Sequence, residues 1–91
     1  MWRTLDPDGR EVVLMDARWA HVQIRHPYIE VAPEDIVEIV AWPDARMPGR
    51  QPNEEWYYRR GTGPSAWIRV VVHYDRDRGL IVTAFPRRLY P

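Results

Sequence analysis

Apolar and polar positions change their spacing along the chain, dividing it into a hairpin, two helices and a sheet. Residues 2–14 form two short strand-like runs around Asp6, Pro7, Asp8 and Gly9, a turn with proline second and glycine fourth, and so predict a β-hairpin. A helical period follows. At about 100° per residue, Met15, Trp19, Val22 and His26 fall on one line, with Ala20 and Ile24 widening the apolar arc. Arg18, His21 and Arg25 share the opposite side. This helix is expected over residues 16–26, capped by Asp16 and stopped by Pro27.

A second helix is expected over residues 33–42. Pro33 suits a first-turn position, Glu34 and Asp35 lie near the positive end of the dipole, and Ile36, Val37, Ile39 and Val40 form the packing face. Pro43 ends it, and residues 43–53 are rich enough in proline and turn formers to predict an exposed connection. Strand patterns at 55–60, 67–74 and 80–86 then predict a three-stranded antiparallel meander over residues 55–86, with turns at 61–65 and 75–79. A five-residue loop at 75–79 would pair Tyr74 with Leu80. Ile68, Val70, Val72, Tyr74, Leu80, Val82 and Ala84 would then share a core face, opposite Trp67, Arg69, Val71, His73, Ile81, Thr83 and Phe85. The fold class is α+β: an N-terminal β-hairpin and two short helices packed on a C-terminal antiparallel sheet, one domain over residues 1–91.

Ninety-one residues suffice for one core, since domains of this size bury only about 60–65% of the surface their unfolded chains expose. Five Trp and five Tyr supply large buried areas, and the absence of cysteine removes disulfides and thiolate metal sites. That absence fits a reducing compartment. With no apolar run of the roughly 18 residues a bilayer crossing needs, and no apolar leader after Met1, the expectation is a cytoplasmic protein without membrane contact.

Thirteen basic and thirteen acidic residues balance, but unevenly along the chain. Residues 1–45 hold four Arg against nine acids, and residues 46–91 hold nine Arg against four acids. The second half is therefore the one suited to a polyanion. Every basic residue is arginine, whose planar fork matches phosphate or carboxylate.

His21 and Arg25, at i and i+4, place an acid/base group beside a fixed cation. Metal-free RNA cleavage needs both: a base for the 2′-hydroxyl, an acid for the leaving 5′-oxygen, and donors for the phosphorane charge. His21, Arg25, Arg60, His73 and Thr83 are the candidates for those roles. Arg18, Tyr58, Arg59, Arg69, Arg87 and Arg88 are the candidates for holding RNA, because aromatics interleaved with cations both stack bases and grip phosphates. A solvated helix face and an ordinary strand with its aromatic row turned inward would produce the same patterns. His26 belongs to the packed stripe and reads as structural. No metal-ligand spacing is present, His21 and His26 being five apart.

Beyond these single features, the chain contains His21-x-x-x-Arg25-His26-Pro27, then Trp42-Pro43-Asp44, Tyr57-Tyr58-Arg59, Val70-Val71-Val72-x-Tyr74 and Val82-Thr83-Ala84-Phe85. In that order, over about residues 10–88, they resemble small phage and bacterial toxin-like domains of the barnase-EndoU-colicin-RelE ribonuclease superfamily. The resemblance implies a RelE/barnase-like fold and metal-independent RNA cleavage, without a cofactor, in a cleft between helix and sheet. It implies RNA, such as tRNA or mRNA, as substrate, and an antitoxin or immunity protein as partner. The helix residues carried over are His21 and Arg25, with His26; the strand cation is Arg60 or Arg59, and the terminal hydroxyl is Thr83. Two other readings stay open: a non-catalytic module docking through Trp67, Phe85 and the arginine face, and an inhibitor using the acidic first half.

Overall fold

The computed structural model describes residues 1–61 and 66–88; part of the expected turn at 61–65 thus lies outside the described residues. The chain runs β1 (Trp2–Leu5), β2 (Glu11–Leu14), α1 (Asp16–Arg25), α2 (Pro33–Ala41), β3 (Ala45–Pro48), β4 (Glu54–Arg60), β5 (Trp67–Asp75) and β6 (Arg78–Arg87). It is a small α+β fold. All six strands form one mixed sheet in the order β1-β2-β6-β5-β4-β3.

The hairpin, both helices and the last three strands lie where the sequence pattern expects them, but the sheet is twice as wide as a three-stranded meander. The first hairpin joins it, because β2 pairs in parallel with the start of β6 through Glu11↔Arg78, Val12↔Gly79 and Val13↔Leu80. At the other edge, residues 43–53 are not simply an exposed connection. Within them β3 pairs with β4 from Ala45↔Tyr58 to Pro48↔Glu55, and Pro48 is tolerated because the strand lies at an edge.

α1 and α2 bury their apolar stripes in one core. Val22 of α1 and Ile36, Ile39 and Val40 of α2 pack with Val12, Leu14, Tyr57, Ile68, Val70, Val72, Tyr74, Ile81 and Ala84 from the sheet. Trp2, Trp19, Ile29, Val31 and Val37 close its margins. Two helix expectations need correction. Met15, not Asp16, is the N-cap of α1, and no side chain caps it. Ile24 is 78% exposed, and Met15 and Ala20 are exposed too, rather than part of the apolar arc, since a helix of this length resting on one strand buries only a narrow stripe. Both helices also stop one residue early, with His26 and Trp42 as their C-caps.

The β5–β6 connection corrects the expected loop. It is a two-residue turn, Arg76 and Asp77, between the paired residues Asp75 and Arg78. Arg76 supplies the required left-handed backbone at φ 60°. Gly79 is a strand residue, not a turn residue. A Cβ there would lie 2.8 Å from the Tyr74 ring, 2.9 Å from Val72 and 3.0 Å from Val12, so glycine lets β2, β5 and β6 close together. The register then steps, Val71 pairing with Thr83 and Val72 with Ile81, which leaves Val82 as a bulge. In consequence Ile81 takes the core position expected of Leu80 and Val82, while Ala84 returns to the core as expected.

A polar network fastens the hairpin turn to the sheet. Asp6 is buried. Its Oδ1 accepts the backbone N–H groups of Asp8 and Arg10, each at 2.9 Å, and its Oδ2 accepts Arg10 Nε at 2.7 Å and the Tyr74 hydroxyl at 2.8 Å. The Tyr57 and Tyr74 hydroxyls lie 2.6 Å apart. Arg10 continues to Glu55 at 2.7 Å, and Arg46 joins Glu55 at 2.7 Å and Asp8 at 2.6 Å. Burial pushes the Asp6 carboxyl up, yet the donors from Arg10 and Tyr74 outweigh it and hold the group below the ordinary aspartate range. Burial, then its hydrogen bonds with Tyr57 and Asp6, push the Tyr74 hydroxyl up, so it remains a donor.

Substitutions separate these devices. Gly79→Ala is expected to destabilise the fold by about 2 kcal/mol through overpacking, whereas Arg76→Gly is expected to stabilise it by about 1 kcal/mol by relieving the left-handed conformation; urea denaturation measures both. Asp6→Ala is expected to cost about 3 kcal/mol, because Arg10 and Tyr74 lose a shared buried acceptor. Asp6 has a lowered folded pKa, so its contribution is complete above the ordinary aspartate range and is lost as pH falls through the lowered value. Acid unfolding followed by circular dichroism should show that loss in the parent and not in Asp6→Ala.

Candidate nucleic-acid interface

Because strand side chains alternate, the sheet face opposite the core carries the residues that the helices leave uncovered. On β4 these are Glu54, Trp56 and Tyr58; on β5, Trp67, Arg69, Val71 and His73; on β6, Thr83 and Phe85, with Met47 on β3 beside Trp56. Pairing brings Tyr58 opposite Arg69, Phe85 on its other side, and Glu54 opposite His73.

Arg69 is the centre of this face. It is only 7% exposed, although both ladders flanking it are built from aromatic and polar residues. Its Nε donates to the Tyr58 hydroxyl at 2.8 Å, and the Tyr58 hydroxyl in turn donates to Met47 Sδ at 3.5 Å. The guanidinium lies 3.7 Å from the Trp56 ring centre, with the Tyr58 and Phe85 rings at 5.3 and 5.4 Å. Among the described residues no carboxylate pairs with it. Aromatic faces solvate a guanidinium better than aliphatic ones do, but a desolvated cation without a counter-charge is expensive unless an anion completes it.

Two groups flank Arg69 along the face. His26, the C-cap of α1, sets its ring 5.7 Å from that of Phe85 at an interplanar angle of 33°, with Tyr28 edge-on at 6.2 Å. Its Nδ1 is buried and has no hydrogen-bond partner among the described residues. Burial, then the charges of Arg25 and His21, push its pKa down, so the imidazole is neutral at physiological pH. On the other side, His73 Nε2 is hydrogen-bonded to Glu54 Oε1 at 2.8 Å. An open groove of about 610 Å3 continues from His73 past Val13 and Leu80, lined by Arg3 and Arg78 and by the acids Glu11 and Asp75, with Arg78 Nε 3.7 Å from Glu11 Oε1.

The candidates read from the sequence separate into three groups. Tyr58, Arg69, His73 and Thr83 share the face opposite the core, but Tyr58, expected to hold RNA, is fully buried there and supports Arg69 rather than offering a surface, while His73 and Thr83 are half-buried. Arg60, whose guanidinium lies 5.4 Å from the Trp67 ring centre, and Arg87, paired with Trp67 across the ladder, stand at its rim, with Arg88 exposed beyond. Arg18, His21 and Arg25 are exposed along α1 and are not brought to this face by any described contact. Arg59 points to the opposite face, where it meets Glu38 at 3.7 Å.

No protein-family model, curated protein or solved structure matches the chain. The local chemistry is therefore the guide. Among the described residues no group of His, Asp and Glu is arranged to hold a metal ion, and no helix is long and apolar enough to cross a membrane.

Trp56 and Glu54 are the functional candidates that the sequence reading passed over, and His26, read from its spacing as structural, entered only through the resemblance. Alternation along 54, 56 and 58 carried a signal for the first two, since Tyr58 opposite Arg69 fixes their face. His26 carried a misleading one. Its place on the Trp19–Val22 stripe is real, yet at the helix end that stripe reaches Phe85 and the margin of the open face. An NMR titration is expected to find His26 titrating below the ordinary histidine range, and Phe85→Ala is expected to move it back toward that range by admitting water.

Proposed function

We propose that the chain is a metal-independent RNA-cleaving domain of RelE/barnase-like architecture, with RNA held across the open sheet face. The single observation carrying this reading is Arg69, a recessed, aromatic-lined guanidinium without an acid partner among the described residues. A phosphate is the ligand its fork fits, and Trp56 and Phe85 around it offer stacking surfaces for unpaired bases.

In this reading His26 is the general base, its lowered pKa keeping it neutral and able to accept a proton. It takes the 2′-hydroxyl proton as the 2′-oxygen bonds to phosphorus and the bond to the 5′-oxygen breaks; water protonates the leaving oxygen. Arg69 stabilises the charge on the phosphorane, and Thr83, on the same face as Phe85, offers a hydroxyl donor. His73 lies four residues along β5 from Arg69, about 13 Å of strand. It is therefore assigned to a neighbouring nucleotide rather than to the reacting phosphate. Arg60 and Arg87 at the rim extend the cationic path. A cytoplasmic toxin of this kind would be held in check by an antitoxin or immunity protein.

A second reading, a domain that binds RNA without cutting it, is favoured by the exposure of His21 and Arg25 away from the open face. Cleavage of single-stranded RNA in EDTA decides between them. His26→Ala and Arg69→Ala are each expected to slow cleavage about 100-fold or more, while His21→Ala has a far smaller effect, because it reaches this face only as the least of the influences on the His26 pKa. The rate is expected to rise with pH and level off below the ordinary histidine range, as His26 loses its proton. Binding without cleavage would leave the second reading standing, and equal rates in all four proteins would refute the first.

A further inference from the structure

The stack on Arg69 depends on how Trp56 is held. A tryptophan on an open sheet face has freedom about both side-chain torsions, and a ring that wanders cannot orient a guanidinium. Here the indole is tethered: Trp56 Nε1 donates to Glu54 Oε2 at 2.7 Å. Glu54 is itself fixed. The same Oε2 accepts the Arg50 backbone N–H at 3.0 Å, and Oε1 is paired with His73 Nε2 at 2.8 Å. Its side chain is 10% exposed. Gly49 closes over it so tightly that a Cβ there would stand 2.4 Å from the Glu54 side chain.

Register explains why this tether reaches Arg69. Glu54 and Trp56 are two apart on β4 and share a face, opposite His73 and Val71. Tyr58, opposite Arg69, is the next residue on that face. Arg69 therefore meets Tyr58 directly and Trp56 on the diagonal, the two contacts a cross-strand neighbourhood allows. Tyr58 takes Nε and Trp56 takes the π face. The two terminal nitrogens have no hydrogen-bond partner among the described residues.

We infer that Glu54 is a positioning residue for RNA binding: by anchoring the Trp56 indole it fixes the plane of the Arg69 guanidinium and turns its two terminal nitrogens toward phosphate. The inference rests on the RNA reading above. Glu54 acts through Trp56 and does not touch the substrate.

The test uses the full chain and a short single-stranded RNA, 2′-O-methylated throughout so that it cannot be cleaved, with affinity read by fluorescence anisotropy. Glu54→Ala is expected to weaken binding about tenfold. Glu54→Gln, which keeps a carbonyl acceptor for the indole N–H, is expected to stay within about threefold. In a Trp56→Phe background, where no N–H remains to be held, Glu54→Ala is expected to cause no further loss. The NMR signal of the Arg69 Nε–H reports the stack without RNA and is expected to shift in Glu54→Ala but not in Glu54→Gln. Equal losses from Glu54→Ala in both backgrounds, or an unmoved Arg69 signal, would overturn the positioning role while leaving the RNA reading intact. Arg69→Ala is the control: if it binds as tightly as the parent, the RNA reading falls and the inference falls with it.

Discussion

The buried carboxylate of Asp6 is the interaction on which the arrangement of this sheet most depends. A four-residue hairpin strand paired in parallel over three positions is a weak way to complete a sheet, and parallel pairing is slightly less stable per residue than antiparallel. Asp6 compensates by accepting two hydrogen bonds from its own turn and two from side chains, one of them Tyr74 in the middle of β5's far end. Through Arg10, Glu55 and Arg46 the same turn is bound to β4 and β3. Strands at opposite ends of the sheet order are thus joined across the core side by charged groups rather than by packing alone.

That network also accounts for how charge is shared between the two faces. Acids of both halves are neutralised on the core side: Asp6 and Asp8 are engaged by Arg10 and Arg46, and Glu55 lies between those two arginines. On the opposite face the balance reverses. The guanidinium groups of Arg69, Arg60 and Arg87 pair with no described acid there, although Asp44 Oδ2 accepts the Arg60 backbone N–H at 2.8 Å, and Glu54 is turned toward His73 and the Trp56 indole. A chain with zero net charge can therefore present one cationic, aromatic surface, because neutralisation is spent on the other side of the sheet.

What the sequence disclosed was whatever its neighbours along the chain decide. The Asp6–Gly9 turn, Pro33 opening α2 and the Ile36, Ile39 and Val40 stripe all follow from residues within a few positions of one another. What it concealed was set by distant contacts. Nothing near Glu11 signals that β2 will find Arg78, and Ala45–Pro48 becomes a strand only because β4 offers it an edge. The candidate site divides in the same way. Helical spacing correctly put His21 with Arg25 on one face, but only the packing of α1 shows that this face is solvent. Arg69 looked like one arginine among thirteen, and its distinction, a guanidinium recessed among rings, belongs to three strands at once.

The bulge at Val82 carries a consequence for how β6 is to be interpreted. It divides the strand into two stretches of opposite phase. Before it, the even-numbered Leu80 looks outward and the odd-numbered Ile81 inward; after it, the odd-numbered Thr83 and Phe85 look outward and the even-numbered Ala84 inward. One stretch serves the joint with β2, and the other serves the face that holds Arg69. The extra residue decouples them, so the spacing that suits the parallel joint does not dictate which side chains reach the open surface. A single unpaired valine lets one strand satisfy two partners whose demands a regular ladder would have set against each other.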